Sequence, residues 1–67
     1  MKKNVWDMTG EDIALINGKR YKVKRDFEKL MIGIGRQLNR ELVNVNEPED
    51  IMKYYRGREV EIEKRNW

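Results

Sequence analysis

Apolar residues recur along this 67-residue chain with more than one spacing, and each spacing predicts a different element. Over residues 11–24, the runs Ile13-Ala14-Leu15-Ile16 and Tyr21-Lys22-Val23-Lys24 flank Asn17-Gly18, a pair suited to a tight hairpin turn. A two-residue turn would pair Ile16 with Lys19 and set Ile13 and Leu15 beside Arg20 and Lys22. A three-residue loop with Gly18 in the left-handed conformation pairs Leu15 with Lys19 and collects Ile13, Leu15, Tyr21 and Val23 on one face. A slip of one residue exchanges the faces of a strand, so the cleaner partition, the three-residue loop, is the register expected. A competing reading makes Thr9 a helix cap with Asp12 at the third position. It would leave Tyr21-Lys22-Val23 without its nearest strand partner.

Over residues 26–43 the spacing changes. Phe27, Leu30, Met31, Ile34, Leu38 and Leu42 form a stripe of helical period, with Asp26 placed to cap its start. Gly33 and Gly35 interrupt it, each costing about 1 kcal/mol relative to Ala in a helix, which points to a break or a close backbone approach. Residues 43–47 connect to a second, short helix, with Pro48 at its first position, Glu49 and Asp50 in its first turn and Gly57 at its end. Residues 58–64 alternate, predicting a strand with Val60 and Ile62 inward and Glu59, Glu61 and Glu63 outward. The order β-β-α-α-β predicts an α+β fold: a small three-stranded antiparallel sheet with two helices packed on one face. Residues 1–9 read as an N-terminal arm and residues 10–67 as a single domain.

A chain this short buries only about 60% of its unfolded surface. It has no Cys for disulfides and no His for a structural zinc site, leaving efficient packing or self-association to stabilise it. The missing Cys and the absence of an apolar stretch after Lys2 and Lys3 predict a soluble, cytoplasmic protein with no membrane association.

Charged residues make up 40% of the chain, yet the net charge is only +3, so placement matters more than sum. Arg20, Lys22 and Lys24 on the second strand and Glu59, Glu61 and Glu63 on the third would neutralise each other if those strands were neighbours. Arg36 and Arg40, four apart on the predicted helix, share a face that Lys29 and Gly33 continue. Arg20, Lys22, Lys24, Arg36 and Arg40 are the residues that would carry an alternative function, binding of nucleic-acid phosphate.

The chain also lacks Ser, and Thr9 is its only aliphatic hydroxyl, so the common nucleophilic triads cannot be built. No motif implies a metal or a cofactor, and no enzymatic activity is expected. Tyr54, Tyr55, Arg56, Arg58 and Trp67 form the candidate partner-binding patch, since Tyr, Trp and Arg dominate binding hot spots. Ile32, Gly33, Gly35 and Arg36 form the candidate homodimer seam, where small residues admit a second backbone. The expected function is therefore that of a non-catalytic protein-binding module and homodimer. An accessory protein of a phage or other mobile element that inhibits or modulates a host defence protein would fit this description.

Overall fold

The computed structural model describes residues 1–63. It corrects the predicted α+β architecture. The described residues form six strands, β1 (Lys2–Asn4), β2 (Ala14–Ile16), β3 (Lys19–Met31), β4 (Gly35–Asn44), β5 (Glu47–Tyr55) and β6 (Glu59–Ile62). They make one sheet in the order β1-β6-β2-β3-β4-β5, with every neighbouring pair antiparallel. Among the described residues the only helical segment is the single 3-10 turn Val5–Asp7.

Neither predicted helix forms: the first is a strand pair and the second a single edge strand. Residues 26–43 fold back on themselves, with Asp26 opposite Arg40, Glu28 opposite Leu38 and Met31 opposite Gly35. The two glycines that argue against a helix make this reversal: Gly33 has φ +81° and Gly35 φ +93°, values that L side chains rarely adopt. Ile34 N–H closes the turn on the Met31 carbonyl at 3.2 Å. Residues 48–57 form most of edge strand β5 and the turn after it. Pro48 lies where the register jumps from Val43↔Ile51 to Asn44↔Glu47, an irregular edge position where its missing N–H removes no ladder bond.

The first hairpin also departs from its expected register. Asn17 (φ +52°) and Gly18 (φ +77°) are both left-handed, the requirement of a two-residue type I′ turn. Ile16 therefore pairs with Lys19 and Leu15 with Arg20, which puts Leu15 on the outer face, 37% exposed. Ala14 takes the inner position beside Tyr21 and Ile62.

Cross-strand pairing defines the inner face. Ile62, Ala14, Tyr21 and Asn44 form one row, and Val23, Leu42 and Met52 the next. Tyr55 and Glu59 are joined by three residues, which reach about 14 Å at full extension. A flat sheet would hold β5 and β6 four strand spacings, about 19 Å, apart. The sheet must therefore roll, and the core fills the roll. That core is Val5, Met8, Ala14, Tyr21, Leu42, Val60 and Ile62, with Leu42 and Val5 fully buried. Val60 and Ile62 face inward, as their alternation predicts.

The residues read as an arm belong to this core. β1 pairs with β6, and Val5 N–H donates to the Arg58 carbonyl. Arg40 Nη1 reaches the carbonyls of Val5 (3.0 Å), Trp6 (3.2 Å) and Met8 (2.9 Å), while its other nitrogens hold Asp26. Its guanidinium also lies 4.9 Å from the Trp6 ring.

The charge ladders are not neighbours. β2 stands between β3 and β6, with Leu15 opposite both Arg20 and Glu61. Arg20 still reaches Glu63 at 2.8 Å, but Glu61 pairs with the N-terminal ammonium. Lys22 and Lys24 are exposed and make no ion pair among the described residues.

Acid should unfold this sheet. The hydrogen bond from Arg40 holds the Asp26 carboxyl below its ordinary 3.8, and that from Arg25 holds Glu41 below 4.5. Asp50 is lowered by the Tyr21 hydroxyl, which donates to it at 2.6 Å, and Asp12 by the Thr9 N–H. Carboxylates lowered in the folded state add stability above their unfolded values, which is lost as pH falls through the folded ones. The urea midpoint should be flat from pH 7 to 5 and fall progressively below about 4.5. A midpoint unchanged at pH 3 would show that these pairs contribute nothing.

Candidate functional site

The rolled core occupies one part of the molecule, and the long β3–β4 hairpin extends beyond it. A straight 13-residue strand spans about 44 Å, comparable with the 44 Å longest dimension. A bulge at Lys24, where Val23 pairs with Leu42 but Arg25 with Glu41, separates the core half of β3 from its outer half. The hairpin end has no layer packed on either side, so its side chains stay exposed whatever their polarity.

Several of these side chains are large and apolar. Among the described residues the exposed large hydrophobic ones are Met1, Leu15, Leu30 (81%), Ile32 (103%), Ile34 (73%) and Tyr55 (52%). Four of the six lie at this end, on the hairpin or on the adjoining end of β5. Singly exposed apolar residues are ordinary, but a contiguous group is uncommon on a soluble monomer and marks an interaction surface. Ile34, Arg36, Gln37, Leu38, Tyr55 and Arg56 line a shallow depression of about 350 Å³ beside the tip.

The two patches expected from sequence meet here. Ile32, Gly33, Gly35 and Arg36 form the tip and the start of β4, and Tyr55 and Arg56 reach it from β5, where Arg56 N–H donates to the Leu38 carbonyl. The rest of the partner-binding patch separates. Tyr54 is half-buried against the core, and Arg58 lies over its ring at 5.6 Å. Trp67 lies outside the described residues. Trp6 stands between Arg40 and Arg56, whose guanidinium is 5.5 Å from its ring, so Arg56 links the tip to the core.

The basic residues assigned to nucleic acid do not assemble. Arg40 is only 12% exposed and engaged by Asp26 and three carbonyls. Arg20 pairs with Glu63. Arg36, 3.6 Å from Glu28, sits at the tip, far along β4 from Lys22 and Lys24. The helical line through Lys29, Arg36 and Arg40 is replaced by two sheet faces: Lys29 pairs with Gln37, whereas Arg36 and Arg40 share the opposite face. Both carboxylate and guanidinium of the Arg36–Glu28 pair are over half exposed, so it adds little and leaves the charge available.

No family model, no curated protein and no solved structure matches this chain. Its geometry is therefore the only guide to its role. Among the described residues, no three His, Cys, Asp or Glu side chains come together where they could hold a metal ion, and no helix is long and apolar enough to cross a membrane.

Sequence reasoning missed Leu30 and Ile34, which it assigned to a buried helical stripe. The signal that finds them is Gly33 with Gly35. Two glycines within three residues fit a reversal better than a helix interior, and a reversal places its flanking apolar residues at the end of a hairpin.

Proposed function

We propose that this chain is a non-catalytic binding module that docks another protein through the β3–β4 tip, working in the reducing cytoplasm, where a protein without cysteine loses nothing. One observation carries the reading: Leu30, Ile32 and Ile34 are exposed at the hairpin tip, and Tyr55 is exposed beside Ile34 in the depression next to it. Burying four such side chains supplies the apolar centre of an interface, at roughly 1.5–3 kcal/mol for each aliphatic one. Arg36 and Arg56 border that centre. The partner favoured is an apolar cleft edged by acidic residues, because charge complementarity sets orientation and association rate. A second copy docking tip to tip would bring like charges together.

The test uses the double variant Ile32→Asp/Ile34→Asp, both at exposed turn positions, so the fold should keep its urea midpoint. The wild-type chain and the variant are immobilised and exposed to lysate of the native host, and captured proteins are quantified by mass spectrometry. A partner retained by the wild type and reduced at least tenfold by the variant is the expected result. Equal capture by both would remove the tip from the interface. Light scattering of the free chain should give a monomer. A dimer dispersed by the same variant would instead assign the tip to self-association.

A further inference from the structure

The outer face of the sheet carries a second site, built from residues the tip does not use, apart from Gln37 and Tyr55. In the outer half of the hairpin, Phe27 pairs with Asn39 and Asn39 with Tyr55. The two aromatic side chains thus flank Asn39 from either side, two strand spacings or about 9.6 Å apart. Between them lies a depression of about 360 Å³ lined by Phe27, Lys29, Gln37, Asn39, Lys53 and Tyr55. Cations surround the aromatic rim: Lys53 Nζ is 5.9 Å and the Arg25 guanidinium 5.8 Å from the Phe27 ring. The acidic group beneath them, Glu41, is 4% exposed and engaged by Arg25. Lys24, Lys29 and Lys53 are exposed and make no ion pair among the described residues, so the face keeps a positive excess.

We infer that this face binds single-stranded nucleic acid, with a base against Phe27 and Tyr55 and the flanking phosphates on Lys29 and Lys53. Three features favour that occupant over a protein. Aromatic side chains on an open sheet accept the flat face of any unpaired base. Lys24, Lys29 and Lys53 together outnumber the one buried carboxylate of this face and match phosphate, and binding releases condensed counterions. The half-buried Gln37 amide offers a donor and an acceptor of the kind that read base edges, while Asn39 beneath is buried and donates to the Gln37 carbonyl. A duplex would not fit, since its bases are stacked on one another and cannot reach the rings.

Fluorescence anisotropy with a labelled oligothymidylate of twenty nucleotides tests this at low and rising salt. Binding should weaken with salt, and Lys29→Gln or Lys53→Gln should each shallow the log–log slope by about 0.7. Phe27→Ala should weaken binding about 5- to 150-fold, the effect of one lost base stack. Phe27 is half-buried, so the exposed lysine variants keep the test valid if Phe27→Ala unfolds. The charge-neutral variant Ile32→Ser/Ile34→Ser should bind the oligonucleotide like wild type, which separates this site from the protein-docking tip. Three results would overturn the proposal: no binding at low salt, equal affinity for the corresponding duplex, or affinity unmoved by Lys53→Gln and Phe27→Ala alike.

Discussion

Arg40→Ala is expected to remove about 3 kcal/mol of stability, a large share of the roughly 3–10 kcal/mol expected for a domain this size. The two N–H groups of Nη1 are shared among the carbonyls of Val5, Trp6 and Met8, of which that of Val5 also accepts from Met8 N–H, and the guanidinium supports the Trp6 ring. Each carbonyl left without a donor under the docked N-terminal segment costs about 1–3 kcal/mol unless water enters, and a lost cation–π contact adds about 0.5–2. Asp26 is 43% exposed and rehydrates, so its loss is the smaller part. Arg40→Lys should restore little, because an ammonium cannot present a planar fork to carboxylate and carbonyls together. Urea denaturation followed by circular dichroism checks both variants. A loss below about 1 kcal/mol would mean that the N-terminal segment docks without this clamp.

Leu42→Ala should cost as much or more. Leu42 is fully buried at the centre of the inner face, between Val23 on β3 and Met52 on β5. Deleting a buried leucine side chain costs about 2–5 kcal/mol, with the larger values where neighbours cannot collapse into the space. Hydrogen bonding fixes both flanking strands, so collapse is restricted here. The variant should be largely unfolded at 37 °C, with the β-sheet signal lost in circular dichroism. A fully folded variant with a midpoint near wild type would place the core elsewhere.

The sequence disclosed the local turns and little of the tertiary arrangement. Asn17-Gly18 was legible as a reversal and Val60 and Ile62 as an inward pair. The register of the first hairpin was not, because Ile13, Ala14, Leu15 and Ile16 are apolar on both parities. The choice then falls to the turn, whose two left-handed residues put Ala14 inside and Leu15 out. The helical stripe from Phe27 to Leu42 had a different cause. The bulge at Lys24 shifts the alternation of β3, and the reversal at Gly33 separates the two halves of the pattern. Apolar residues destined for the outer face (Phe27), the tip (Ile34) and the core (Leu42) then fall by coincidence on a 3.6-residue period. Gly33 and Gly35 were the contrary signal, and the stripe outweighed them.

The candidate site was legible in pieces. Ile32, Gly33, Gly35 and Arg36 stood out as one patch, and Tyr55 with Arg56 as another. Their union depends on β4 pairing with β5, a contact that no spacing within either segment encodes. The outer-face depression was hidden for the same reason, since Phe27, Asn39 and Tyr55 come from three strands.

The most direct test of the docking account places a photoreactive residue at position 32, and in a separate chain at position 15. Leu15 is also an exposed apolar residue, but it lies on the first hairpin and not at the tip. After irradiation with the captured partner, adducts should form from position 32 and not from position 15. Adducts from position 15 alone, with none from position 32, would contradict the assignment of the tip as the docking surface.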